Sequence, residues 1–162
     1  EVIQQVNRRI LTDTQRGIFL TVVFGILDPR TGIFTYVNAG HNPPLILRED
    51  EDDLAFSLLE KTGPLVGIFT ENAWEERSFE IKPGEILVLY TDGITEAQDD
   101  TEEFYGSERL VAVLKKNFNP DAETFRNSIL ENVQAFTGTA PRLDDITLIV
   151  ISRETANSDD PD

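Results

Sequence analysis

Cysteine and methionine are absent from the 162 residues, histidine occurs once, at His41, and tryptophan once, at Trp74. Without cysteine there is no disulfide framework, no thiolate zinc site and no hydrolase built on a Cys nucleophile. A single histidine excludes multi-His metal sites. No uncharged apolar run of about 18 residues occurs and no basic-then-apolar leader opens the chain, so the sequence predicts no membrane contact from this segment and a cytoplasmic location. A chain that opens at Glu1 and lacks any Met is expected to be an excerpt or a processed product. Positive charge is scarce as well. Only 14 Lys plus Arg stand against 30 Asp plus Glu, a net charge of −16 that argues against nucleic acid as a partner. Carboxylate is what the chain has in abundance, and it suits hard, oxygen-preferring cations such as magnesium or manganese. Three dense runs of it, Glu49 to Asp53, Asp99 to Glu103 and the tail acids Asp159, Asp160 and Asp162, read as solvated loops or a frayed end rather than as the site.

A hydrophobic fraction of 40% is enough for one globular core. Val2, Val6 and Ile10 recur at four-residue spacing beside Ile3 and Leu11 and predict an amphipathic helix. The β-branched and aromatic run Ile18 to Leu27, the turn Asp28-Pro29-Arg30-Thr31-Gly32 and the run Ile33 to Val37 predict a hairpin. Leu45 to Leu47 reads as a third strand. Trp74 to Ile81, the turn Lys82-Pro83-Gly84-Glu85 and the wholly apolar Ile86 to Tyr90 predict a second hairpin, its last strand buried on both faces. Ser107 and Asp121 are expected N-caps of two helices, the second with Phe125, Ile129, Val133 and Phe136 on one face. Ile146 to Ile151 is the last strand, and the polar end from Thr155 is expected to be disordered. Hairpin-linked strands with helices at the start and between the last two strands give an α+β class of layered antiparallel sheets flanked by helices.

Two buried strands meet acids at their ends: Ile86 to Tyr90 runs into Thr91-Asp92-Gly93, and Arg142-Leu143-Asp144-Asp145 runs into Ile146 to Val150. A carboxylate at the mouth of a core strand is rigidly held, and Gly93 lets the backbone turn and something approach closely. If the strands are neighbours, Asp92 and Asp144 emerge at the same end, where a shared cation relieves their repulsion. Read for structure alone, Asp92-Gly93 is a turn and Asp144 or Asp145 pairs with Arg142.

Five segments occur in the order seen in SpoIIE/RsbU-type phosphatases: Phe19-Leu20-Thr21, Asn38-Ala39-Gly40-His41-Asn42-Pro43-Pro44, Gly63-Pro64-Leu65-Val66-Gly67, Leu89 to Ala97 around Asp92-Gly93, and Asp144-Asp145-Ile146-Thr147. The chain resembles this bacterial stress- and sporulation-regulating branch of the metal-dependent, type 2C-like (PPM) protein phosphatases from about residue 1 to 154. The resemblance implies a PPM-type α-β-β-α sandwich lacking its N-terminal strands, with a polar tail at 155–162. It implies a two-metal hydrolase, manganese or magnesium held by carboxylates, in which water attacks phosphoserine or phosphothreonine in line. By the same likeness Asp92 and Gly93 match the metal-binding Asp-Gly motif and Asp144 the first Asp of the last motif. Asp145, Glu96 and His41 take supporting places. The implied substrate is a phosphoprotein such as a STAS-type anti-sigma-factor antagonist, and a sensor domain often precedes domains of this kind.

The family's first metal motif, roughly Gly-Gly-Asp-Phe-x-Asp, and the Gly-Asp motif after it have no counterpart here. The sequence is therefore expected to carry the C-terminal portion of a catalytic domain, to bind metal weakly by itself and to turn over little, with open sheet edges available for dimerisation. The alternative is a catalytically dead, phosphatase-like module that docks a partner. A structural calcium site is a third reading, disfavoured because no loop carries the spacing of a calcium hand.

Overall fold

The computed structural model describes residues 1–15, 17–50 and 53–155. Its backbone contacts gather into two compact units, one of Glu1–Pro43 with Leu59–Ile81 and one of Pro44–Leu58 with Lys82–Asp162. The tail expected to be disordered lies, from residue 156, outside the described residues.

In the first unit, α1 (Val2–Asp13) precedes a three-stranded antiparallel sheet of order β1-β2-β5, formed by β1 (Val22–Leu27), β2 (Ile33–Ala39) and β5 (Arg77–Glu80). The β1–β2 hairpin is the expected one, with Phe24 opposite Val37 and Leu27 opposite Phe34. Its first strand begins later than the apolar run suggests. Leu20 leaves the ladder to bridge Val66, exchanging two backbone bonds of 2.9 Å, and Ile18 and Phe19 stay exposed. The buried stripe of α1 is likewise shifted by one residue. Ile3 and Asn7 are buried and Ile10 packs beside them, whereas Val2 and Val6 are exposed. A side-chain amide decides this: Asn7 Oδ1 accepts from Gly67 N at 2.8 Å and Asn7 Nδ2 donates to Phe69 O at 3.0 Å, which fixes the helix rotation.

In the second unit the sheet order is β4-β3-β6-β7, all neighbours antiparallel, built from β3 (Leu45–Asp50), β4 (Asp53–Leu58), β6 (Ile86–Tyr90) and β7 (Leu148–Ser152). Of the acidic run at 49–53, expected to be a loop, Glu49 pairs with Leu54 and Asp50 with Asp53 in the β3–β4 ladder, and Glu51 and Asp52 lie outside the described residues. The hairpin expected between Trp74–Ile81 and Ile86–Tyr90 does not form, because β5 pairs with β2 and β6 lies between β3 and β7. Ile86, Leu87 and Val88 are fully buried, and a strand apolar on both faces is most stable in a sheet's interior. The turn does redirect the chain: Lys82 N donates to the buried Glu85 side chain at 2.9 Å.

A short helix α2 (Asp92–Thr95), then α3 (Gly106–Lys116) and α4 (Ala122–Thr137), complete this unit. The cap of α3 is Tyr105, two residues before the expected Ser107. Asp121 caps α4 as expected, accepting from Thr124 N at 2.7 Å. Leu110, Val113 and Leu114 of α3 and Phe125, Ile129 and Val133 of α4 bury against Leu45, Leu47, Ile86 and Val88 of the sheet. Full burial of each such side chain stabilises by about 1.5–3 kcal/mol, which makes this face the anchor of β6 and β7. Two antiparallel sheets with flanking helices give the α+β class read from the sequence.

Candidate functional site

Strands β6 and β7 are hydrogen-bonded neighbours, with Tyr90 opposite Leu148. Because they run antiparallel, the C-terminal end of β6 and the segment entering β7 emerge at one end of the sheet. Asp92 follows β6 directly, as the first residue of α2. Asp144 stands four residues before β7, which begins at Leu148 rather than at Ile146.

Thr91 ties the two segments together. Its backbone N–H donates to Thr147 O at 3.1 Å, its hydroxyl donates to Asp145 O at 3.2 Å, and the hydroxyl's own Oγ1 accepts from Thr147 N at 3.0 Å. Gly93 is buried against the same loop, and a Cβ on it would lie 2.3 Å from the Asp145 carbonyl oxygen. The close approach that the glycine permits is thus made by the protein's own backbone. Gly93 turns the chain into α2 without a left-handed φ.

Asp92, Asp144 and Asp145 are all exposed, so the burial cost expected for these acids does not arise. No ion pair among the described residues engages Asp92 or Asp144, and the alternative pairing of Asp144 or Asp145 with Arg142 is not formed. Asp144 Oδ1 accepts from the N–H of Asp145 at 2.7 Å. Asp145 contributes its carbonyl to the Thr91 clasp. Two exposed carboxylates without a cationic partner among the described residues are suitable oxygen donors for a divalent cation. They do not make a complete cage: among the described residues no group of three or more Asp, Glu or His side chains gathers where it would hold a metal.

Beside these acids, within the second unit, lies a cleft of about 460 Å³ whose lining includes Gly93, Glu96, Leu130, Val133, Arg142 and Asp144. Glu96 caps α2, its N–H donating to Asp92 O at 2.7 Å, and its exposed side chain faces this cleft. His41 belongs to the first unit. Its ring Nδ1 is 2.9 Å from Thr21 Oγ1, and its backbone N–H donates to Oδ1 of the fully buried Asn38 at 2.9 Å.

Thr91 and Thr147 escaped the sequence reading as functional residues, although each stands at a fixed step from a candidate acid. Asn38 did too, because a buried asparagine in a turn motif looks like an ordinary loop residue. The acidic loop at Asp99 proves structural: Asp99 Oδ1 accepts from Thr101 N, Thr101 Oγ1 and Glu103 N at 2.8, 2.7 and 3.0 Å. Those bonds hold the Asp99 carboxyl below its ordinary pKa, the Thr101 hydroxyl contributing most.

The family model of Stage II sporulation protein E (SpoIIE) matches residues 1–154. Among characterised proteins, the chain is 35% identical over 159 residues to Protein IcfG of Synechocystis, covering 94% of this chain and 24% of that protein. It is 24% identical over 154 residues to Phosphoserine phosphatase RsbU of Bacillus subtilis, covering 95% of this chain and 45% of RsbU. The chain therefore spans less than half the length of either relative. Among solved structures, the phosphatase domain of the B. subtilis cell fate determinant SpoIIE superposes with a TM-score of 0.64 at 21% identity, over 96% of this chain and 66% of that one. The SiaA-PP2C domain of Pseudomonas aeruginosa gives 0.70 at 18% identity, over 93% of this chain and 58% of that one. These two likenesses bear on the fold, and the sequence match bears on the family. Matched along nearly its whole length, the chain belongs to the SpoIIE family and is related in sequence to the phosphoserine phosphatase RsbU.

Proposed function

We propose that residues 1–154 form part of a catalytic domain that hydrolyses phosphoserine or phosphothreonine on a regulatory phosphoprotein, with 155–162 as a tail. The favoured substrate is a STAS-type anti-sigma-factor antagonist in the cytoplasm, and Asp92 and Asp144 are the metal-binding carboxylates. One observation carries the reading. The antiparallel β6–β7 pair and the Thr91 clasp bring two exposed acids, neither ion-paired with a described residue, to one end of a sheet on segments bonded to each other.

The donor set fits manganese or magnesium, since carboxylate and carbonyl oxygens suit hard divalent cations. Such cations, when bound, lower the pKa of water and neutralise phosphoryl charge, so that no protein nucleophile is required. The chain's own residues keep the geometry. Thr91 holds the Asp144 loop against the Asp92 turn, Gly93 leaves room for that contact, and Glu96 supplies a further carboxylate at the cleft. His41, held by Thr21 and Asn38, fits a residue that braces its own loop.

The test is manganese-dependent phosphate release from a phosphoserine-bearing STAS-type protein by the protein that carries this chain. Asp92→Asn and Asp144→Asn are each expected to lower turnover by about 100-fold or more, since even outer partners of metal ligands cost 10–100-fold. Wild-type turnover in both variants removes these acids from the site. Binding of the phosphoprotein without any hydrolysis replaces the enzyme by the docking module.

A further inference from the structure

Arg142 stands two residues before Asp144, is exposed, and lines the same cleft as Gly93, Glu96 and Asp144. It is the only Lys or Arg lining that cleft among the described residues. Four other arginines form ion pairs, Arg109 with Glu103 and over the Phe136 ring at 4.8 Å, Arg126 with Glu123, Arg77 with Glu75 and Arg9 with Asp13. Arg142 makes no such pair with a described residue, although Asp144 and Asp145 are its near neighbours in sequence. In a cleft whose lining is mostly apolar or neutral and whose charged side chains are otherwise Glu96 and Asp144, this guanidinium is the one cationic group to which an anion can bind.

We propose that Arg142 binds the phosphoryl group of the substrate, so that the cleft between α4 and the Asp144 loop takes a phosphorylated serine or threonine side chain with its flanking peptide. The proposal rests on the phosphatase reading and adds to it the residue that recognises the phosphomonoester. A guanidinium offers two parallel N–H donors matched to two phosphoryl oxygens, whereas the other charged side chains of the lining, Glu96 and Asp144, only accept. The apolar part of the lining favours a peptide over free phosphate: Leu130 and Val133 of α4 line the cleft, and Leu143, next to Arg142, is 66% exposed. Hydrolysis itself is unchanged by the proposal. Arg142 holds the dianion and exchanges no proton with it.

The experiment is a titration of the isotopically labelled 162-residue chain, with magnesium, by a phosphoserine peptide, its unphosphorylated twin and inorganic phosphate, followed by NMR. The phosphopeptide is expected to shift the Arg142 Nε–H signal and the amides of Gly93 and Leu143. Arg142→Ala is expected to weaken it about tenfold, the loss of one charge-assisted bidentate contact, and Arg142→Lys by less, since charge remains but the fork is gone. Both variants should leave the spectrum of the free chain otherwise intact, because the side chain is exposed. Phosphopeptide binding that shifts Gly93 but is as tight in Arg142→Ala overturns the role of Arg142 and leaves the phosphatase site standing. Shifts at neither Gly93 nor Leu143 overturn the cleft as the phosphopeptide site, whereas the phosphatase reading falls only with the turnover test on the protein that carries this chain. Equal binding of inorganic phosphate and the phosphopeptide overturns the peptide part.

Discussion

At Gly93 the space a side chain would take is occupied by the Asp145 carbonyl, so any substitution there pushes backbone against backbone. Gly93→Ala is expected to destabilise by about 1–3 kcal/mol, the usual cost of overpacking. It should also lower turnover by displacing the loop that carries Asp144. Urea unfolding measures the first effect, and an unchanged midpoint would show that the loop yields freely. The same glycine was visible in the sequence as a close-approach position, but what approaches was not, because its partner lies about 50 residues away. Thr91 teaches the same lesson. Its place before Asp92 is plain in the sequence, whereas its bonds to Asp145 and Thr147 exist only once β6 and β7 pair. The exposure of Asp92 and Asp144 corrects the idea that acids at a core strand's mouth are buried there.

Helix α4 shows how far an element can be read locally. Its cap at Asp121 and its buried stripe of Phe125, Ile129 and Val133 follow from side-chain chemistry and a 3.6-residue period, and both are present. The cap has a pH signature. Hydrogen bonds from Thr124 hold the Asp121 carboxyl below its ordinary value of 3.8, the side-chain bond contributing most. A carboxyl whose folded pKa is depressed adds stability that is fully present above its unfolded pKa and is lost as pH falls through the lower, folded one. The difference in melting temperature between wild type and Asp121→Asn is therefore expected to be constant at neutral pH and to shrink below about pH 4. A difference that stays constant down to strongly acidic pH would show that the charge of the cap is immaterial. For α1 the period gave the helix, with Ile3 and Ile10 inside as part of the apolar set, but not the rotation that exposes Val2 and Val6, since apolar spacing alone ignores an asparagine that bonds two distant backbone groups. For β5 and β6 the turn was legible and the pairing was not: adjacency in sequence favours a hairpin, but burial on both faces sends β6 to the middle of another sheet.

Over the whole molecule the candidate site is a partial one. Two acids sit on tied segments and Glu96 lies in the adjoining cleft, yet no group of three metal-ligating side chains forms among the described residues. Calorimetric titration of manganese into the 162-residue chain is accordingly expected to give a weak site, roughly millimolar, as for sites with few and loosely held ligands. Asp92→Asn should abolish the heat. A micromolar site that survives in that variant would mean that other carboxylates bind the metal. No helix among the described residues is long and apolar enough to cross a membrane, which agrees with the absence of long apolar runs.

The sequence by itself determined which residues are candidates. The absence of cysteine and of a second histidine, the excess of carboxylate and five short segments in order were enough to name the family and Asp92 and Asp144 within it. Tertiary structure decided what surrounds them: that β6 and β7 are neighbours, that Thr91 joins their loops and that Arg142 lines the cleft without an ion pair to any described residue. The reason is physical. Composition, capping and periodicity act over a few residues, whereas the site depends on contacts between residues some 50 positions apart, which only the pairing and burial of whole strands can specify.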